Sequence, residues 1–187
     1  MFEREFVLPS GRCPICGAEN TFVIRGRIND IPHFGETMET LVSCSNCKFK
    51  HADVMHLEEH EPMRYEFKIS SEKDLMVRVV KSSTGTIKIP KLGITVKPGS
   101  GSEGYISNIE GVINRIERAI ALAIEKADPI KRRRGRSKLN RLNAVRNGRE
   151  EIKIIVMDPF GHSAIIDKRV KKRRLSKREV NRLKAEL

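Results

Sequence analysis

Two C-x-x-C pairs, Cys13-Pro-Ile-Cys16 and Cys44-Ser-Asn-Cys47, with 27 residues between them, constrain this chain more than any other feature. Each pair makes a knuckle that turns both sulfurs toward one point. A β-hairpin between the pairs, with TFVIRGRI (21–28) and ETMETLVS (36–43) as strands, would bring the knuckles together. The expected product is a tetrahedral four-thiolate site for one structural Zn2+, closed to catalysis because no coordination position stays open. Disulfides would require an oxidising compartment. The opening MFEREFVLPSG has neither the basic n-region nor the apolar h-region of an export signal, so a reducing, cytoplasmic setting is expected. A thioredoxin-type redox pair would not need the second C-x-x-C.

Between the pairs lies Ile31-Pro-His-Phe-Gly-Glu36. Four thiolates leave His33 no coordination vacancy, and Pro32 fixes its own φ while pushing Ile31 toward an extended conformation. The segment therefore reads as a shaped hairpin loop. Its His33 and Phe34 are candidate partner contacts, with inward packing of Phe34 as the alternative.

At 187 residues, 39% hydrophobic and 33% charged, the chain suits one domain or a small module attached to a larger one. No apolar run approaches the ~18–20 residues of a membrane span, so no membrane partner is expected. Past the knuckles, RYEFKI (64–69), LMVRVV (75–80), TGTIKI (84–89) and GITV (93–96) read as short strands punctuated by Gly, Pro and Ser. The period then changes. Ser107-Asn-Ile-Glu110 has the form of a capping box, and Ile109, Val112, Ile113, Ile116, Ile120, Ala123 and Ile124 follow at helical spacing. Asp128-Pro129 interrupts this helix, and a second one, with Leu139, Leu142 and Val145 on one side, stops at Asn147-Gly148. Strands return at IKIIVM (152–157) and SAIID (163–167).

Charge is distributed unevenly. Residues 1–125 hold 16 Lys and Arg against 17 Asp and Glu, whereas residues 126–187 hold 21 against 7, so the net +13 belongs to the last third. Such asymmetry favours an acidic partner. The candidate contacts are Arg132, Arg133, Arg134 and Arg136, placed in the turn region of the helical hairpin, and Lys171, Lys172, Arg173 and Arg174 in the basic tail. Within the tail, Ser176-Lys-Arg-Glu179 is a capping box for a short helix striped by Val180, Leu183 and Leu187.

Two enzymatic patterns can be spelled from the histidines. His56-Leu-Glu58 with distant His162 mimics a 2-His-1-carboxylate iron site, and His56-Leu-Glu-Glu59-His60 has the HxxEH form of an inverted zinc protease. Pro62 leaves little room for the helix a zinc protease requires, so both read as accidental and no enzyme is expected. An RNA- or ribosome-binding module using the basic C-terminal third is the alternative function. With no aromatic residue in the basic runs, such binding would rest on phosphates.

Several segments together resemble the ZPR-type zinc-finger family. They are CPICG (13–17), IPHFGETMETLVSCSNCKFKHADV (31–54), DLMVRVVKSSTGTIKIPKLGITVKPGS (74–100), GYISNIEGVINRI (104–116) and MDPFGHSA (157–164). The resemblance implies a mainly β fold: a four-cysteine zinc ribbon followed by a double-stranded β-helix domain with an inserted α-helical hairpin. It places the metal ligands on Cys13, Cys16, Cys44 and Cys47. Eukaryotic members carry the module twice and bind the GDP form of translation elongation factor 1A, assisting its folding. They have also been linked to receptor tyrosine kinases and proliferation signalling. Here the module occurs once. The expected organisation is a zinc ribbon at 1–60, a double-stranded β-helix at 61–167 with the hairpin at about 107–148, and a basic tail at 168–187. The implied function is that of a non-enzymatic adaptor or folding factor for elongation factor 1A.

Overall fold

The computed structural model describes residues 4–31, 35–57, 60–99 and 101–187. Four antiparallel strands, β1 (Arg4–Arg12), β2 (Glu19–Ile31), β3 (Gly35–Cys44) and β4 (Lys50–His56), form a sheet in simple sequence order. This is the ribbon. Its two outer strands, β1 and β4, extend the hairpin expected at 21–43 on both sides.

The rest of the chain wraps two further sheets around one apolar interior. A five-stranded sheet has the order β12 (Lys171–Arg174), β5 (Met63–Ile69), β10 (Ile152–Asp158), β7 (Thr86–Ile89) and β8 (Ile94–Val96). A three-stranded sheet has the order β11 (Ala164–Ile166), β6 (Arg78–Lys81) and β9 (Tyr105–Asn108). Strands distant in sequence are neighbours in both, as a jelly roll demands. Alternation fixes which residues face the interior: Phe67 and Ile69 of β5, Ile87 and Ile89 of β7, and Ile152 and Ile154 of β10 are all buried.

The helical hairpin, α1 (Ile109–Glu125) and α2 (Pro129–Arg146), closes this interior with Ile109, Val112, Ile113 and Ile116 from one helix and Leu142 and Val145 from the other. The N-cap of α1 is Asn108, whose side chain accepts from Gly111 N at 2.8 Å, one residue later than the capping-box reading. The basic run 131–138 lies inside α2 rather than in the turn. Asp128 caps this helix by accepting from Lys131 N, and Pro129 occupies its first turn, which confines the turn to three residues, 126–128. Gly135 allows the two helices to touch: a Cβ there would sit 2.2 Å from Ile124 Cγ2.

Residues 72–76 form a short 3-10 turn where strand character was expected from residue 75. Asp74 causes it. Its carboxylate accepts from the N–H groups of Ser70 and Ser71 at 2.9 and 3.0 Å and from Arg169 Nη1 at 2.7 Å. Burial alone would raise this carboxyl, but Ser70, Arg169 and Ser71 hold it down at about 2. The folded value lies below the ~3.9 of an unfolded Asp. Its contribution, about 2 kcal/mol, is therefore complete above pH ~4 and lost as pH falls toward about 2. Thermal melts of Asp74→Asn should start lower at neutral pH and fall less steeply than the parent's across that acid window.

The C-terminal segment joins the body. Strand β12 pairs with β5, and α3 (Lys177–Lys184) packs Leu183, with Leu175, on Ile155 and Met157 of β10. The Ser176–Glu179 capping box is formed.

Candidate metal centre and binding surfaces

The two knuckles are built alike. Cys13 directly follows the last residue of β1, and Cys44 is the last residue of β3. Cys13 N donates to Ala18 O and Cys44 N to Phe49 O, each at 2.9 Å and five residues ahead. Four residues after each first cysteine the backbone turns left-handed, at Gly17 (φ +73°) and Lys48 (φ +61°). Glycine adopts that conformation without cost, and Lys48 is held there while its Nζ donates to Ser45 O at 2.7 Å.

These turns bring all four sulfurs within 4.8 Å of one another. Cys13 Sγ and Cys47 Sγ are 3.9 Å apart, and Cys16 Sγ and Cys44 Sγ 3.8 Å. A tetrahedron with Zn–S bonds of ~2.3 Å has S···S edges of about 3.8 Å, so the cluster fits one Zn2+. Cys13 and Cys44 are buried, and Cys16 and Cys47 face outward. Thr21, 3.3 Å from Cys44 Sγ, draws that thiol down to about 6. The Ala18 backbone and Asn46 lower Cys16. Cys47 is pushed the other way, to about 11: the Phe49 backbone favours its thiolate, but burial and the neighbouring thiols outweigh it. Four thiols cannot all ionise side by side, and a divalent cation at their centre removes that obstacle.

The Ile31–Gly35 pair lies at the opposite end of the β2–β3 hairpin from the cysteines. Nine residue steps separate the Phe22–Cys44 pair from the Ile31–Gly35 pair, roughly 30 Å of strand. His33 and Phe34, the contacts expected in the hairpin loop, lie outside the described residues.

Sequence reasoning did not identify the ribbon's apolar face. Pairing places Leu8, Ile24 and Val42 in one row across β1, β2 and β3, with Ile28 and Met38 in a second and Phe22 beside Cys44 in a third. All of these project to the same side. Phe6 lies on it too, its ring over Gly26, where a Cβ would come within 2.0 Å. These side chains are half-buried or exposed, and among the described residues none joins a buried cluster. The ribbon contributes only Ile31 and Val54 to a shared core, against Val80 and Ala164 of the jelly roll. That junction is pinned by Asp53, which accepts from Ser83 N at 2.8 Å and Ser83 Oγ at 2.7 Å.

The expected basic contacts divide into two groups. Arg132 Nη2 donates to Glu125 O and Ala127 O and so caps the end of α1. Arg173 is paired with Glu179 and Arg174 with Glu61. Arg133, Arg134, Arg136, Lys171 and Lys172 are exposed.

The histidine patterns also resolve. His56 ends β4, and residue 60 lies outside helix and strand, so HxxEH is not carried on a helix. Glu58 and Glu59 lie outside the described residues. Two imidazoles do meet, with His56 Nε2 2.9 Å from His60 Nε2, while His162 Nδ1 accepts from the backbone N–H of His56 at 3.3 Å. Among the described residues, only the four cysteines bring three or more candidate ligand atoms together. No helix there is long and apolar enough to cross a membrane.

Residues 73–186 match the family model described as the ZPR1 jelly-roll domain. The chain is 44% identical over 173 residues to a ZPR1-like protein of Methanocaldococcus jannaschii, covering 92% of this chain and 87% of that one. A ZPR1-like protein of Pyrococcus horikoshii is 41% identical over 177 residues, covering 92% and 79%. The zinc finger chaperone zpr1 of Schizosaccharomyces pombe is 27% identical over 159 residues, which span 81% of this chain and 34% of that protein.

Proposed function

Since this chain belongs to the ZPR1 family of zinc-finger proteins, we propose that it is a non-enzymatic, cytoplasmic folding factor for translation elongation factor 1A. In this reading Cys13, Cys16, Cys44 and Cys47 ligate one Zn2+, and the metal holds the ribbon (1–60) as a rigid platform. The jelly roll (61–167), completed by β12 and α3 of the tail (168–187), carries that platform and fixes its orientation.

One observation carries the proposal: the ribbon has an apolar face on which Leu8 is exposed and Phe22, Ile24, Ile28, Met38 and Val42 are only half-buried, and among the described residues none of them joins a buried cluster. A folded protein does not keep such a face without use. Covering apolar surface is worth roughly 25 cal/mol per Å2, so a client segment that still exposes its own apolar residues gains by lying there. Once the client buries those residues in its own core, the gain disappears and it leaves. Met38 lets the surface adapt to more than one side-chain shape. Assignment of the client to elongation factor 1A rests on the family resemblance, and the S. pombe relative's description as a chaperone supports the mode of action.

The test is refolding. Chemically unfolded elongation factor 1A is diluted into native buffer with and without an equimolar amount of the zinc-loaded chain, and recovered GDP binding is measured. A several-fold higher yield with the chain is expected. An unchanged yield would rule the folding role out, and so would failure of the factor to co-purify from nuclease-treated native lysate.

A further inference from the structure

We propose that the outer face of the five-stranded sheet, continued by α2, binds the phosphate backbone of double-stranded RNA. This inference is independent of the folding role. It rests on where pairing places cations that are scattered in sequence.

On β5 and β10 the residues alternating with the core positions point outward. Lys68 stands directly opposite Lys153, and Arg64 directly opposite Arg173 of β12. Like charges facing one another across strands destabilise a sheet. The local carboxylates offset this only partly. Glu66 is shared by Arg64 and Lys153, Glu151 binds Lys68 and Glu179 binds Arg173, while neighbouring Arg169 is held by Asp74 and Asp167. A shallow groove of about 640 Å3 runs over this face, lined by six cationic side chains, Arg64, Lys68, Lys91, Lys153, Arg169 and Lys171, against Glu66 and Glu151. It ends where α3 is seated on Ile155.

The positive surface continues past the groove. Lys91 pairs with Glu150, which also binds Arg141 of α2, and Arg141 Nη1 donates to Lys91 O at 3.2 Å. Beside this link a second groove, of about 530 Å3, is lined by Arg133, Arg134 and Lys138. The basic belt thus crosses several elements, which suits a long polyanion better than a short acidic segment.

Side-chain chemistry separates RNA from an acidic protein. None of the exposed large apolar side chains among the described residues lines the sheet groove, and Ile130 is the one that lines the α2 groove. Protein interfaces are anchored on apolar and aromatic groups and are poor in lysine, whereas four of the six cations here are lysines. Among the described residues the exposed ring of Phe160 lines neither groove, so no exposed ring lies on this belt to stack an unpaired base, as single-strand binders require. Contacts to regularly spaced phosphates need neither, and they yield sequence-tolerant, salt-sensitive binding.

The zinc-loaded full chain is titrated into a fluorescent RNA duplex of about 20 bp, with KCl varied from about 50 to 300 mM. Binding should weaken linearly on a log–log plot. The triple variant K68Q/K153Q/K171Q should lower the slope by about 2–3 and weaken binding about tenfold or more near 100 mM salt. The ribbon variant R4Q/R25Q/K50Q removes the same charge and should leave binding within about twofold. In the parent, bound duplex should protect Lys68, Lys153 and Lys171 from acetylation by an amine-reactive reagent, which needs no variant to fold. Equal losses in both variants, or no protection, would overturn the proposal. A polyglutamate of matched charge that displaces the duplex at equal concentration would overturn it in favour of an acidic protein. A single strand that binds as tightly as the duplex would overturn the preference for paired RNA.

Discussion

The double substitution Cys44→Ser/Cys47→Ser is expected to give a protein that carries no zinc and has lost the ribbon sheet, while the jelly roll stays folded. The reason is the ribbon's lack of a core. Besides Cys13 and Cys44, its buried apolar residues are Ile31 and Val54, and both pack against the other domain rather than against one another's sheet partners. Hairpins without a packed face are marginal in water. A four-thiolate zinc site contributes on the order of 10 kcal/mol to folding, more than such a sheet has from any other source. The jelly roll has its own interior of Phe67, Ile87, Ile113, Leu142 and Ile154 and does not depend on the metal. Zinc content should fall from one equivalent to none. Amide exchange should become fast over residues 19–44 and stay slow over 152–158. A metal-free variant with slow exchange in the ribbon would refute the structural role of zinc.

The second large effect is expected at Asp158. Its side chain is completely buried at the end of β10. One carboxylate oxygen accepts from Ser82 Oγ at 2.6 Å and Ser163 Oγ at 2.5 Å, and the other from Thr84 Oγ1 at 3.0 Å and Phe160 N at 2.9 Å. Asp158→Ala leaves two buried hydroxyls, the half-buried Thr84 hydroxyl and one backbone N–H without their shared acceptor. The expected cost is about 3–5 kcal/mol, or a fall in Tm of about 10 °C for a chain this size. Ser82→Ala removes one donor and should cost about 1 kcal/mol. A melting temperature for Asp158→Ala within about 2 °C of the parent would contradict the network's role. Two of the lines that carried the family resemblance, KSSTG (81–85) and MDPFGHSA (157–164), meet in this network, so their joint occurrence has a folding reason.

Local signals were readable in the sequence and cross-strand ones were not. Cysteine spacing specified the metal cluster because ligand identity and knuckle geometry are contained in four residues each. Helices α1 and α2 were visible through the 3.6-residue period of Ile109 to Ile124 and through Asp128-Pro129. The ribbon's apolar face was hidden because each of its strands contributes only two or three residues to it, and pairing alone assembles them. The sheet-face cations were hidden for the same reason: Lys68, Lys91 and Lys153 lie far apart in sequence, and the first two sit in the electrically neutral part. The charge count pointed to the C-terminal third alone: of the residues it named, Lys171, Arg133 and Arg134 line the two grooves, while the fold uses Arg132, Arg173 and Arg174 for a helix cap and two ion pairs. The Asp74 turn was masked by the strand-like LMVRVV, since its cause, Arg169, lies 95 residues away.

The central claim is that the apolar ribbon face receives the folding client. Its most direct test is Ile24→Lys/Val42→Glu in the refolding reaction with elongation factor 1A. These two residues are directly paired across β2 and β3 and point away from the junction with the jelly roll. An opposite-charge pair facing across the strands adds no repulsion to the sheet, so one equivalent of zinc should stay bound and the Tm should remain within a few degrees of the parent's. The predicted result is that recovery of GDP-binding elongation factor drops to the level of spontaneous refolding. Recovery equal to the parent's, at equal zinc content and stability, would contradict the account.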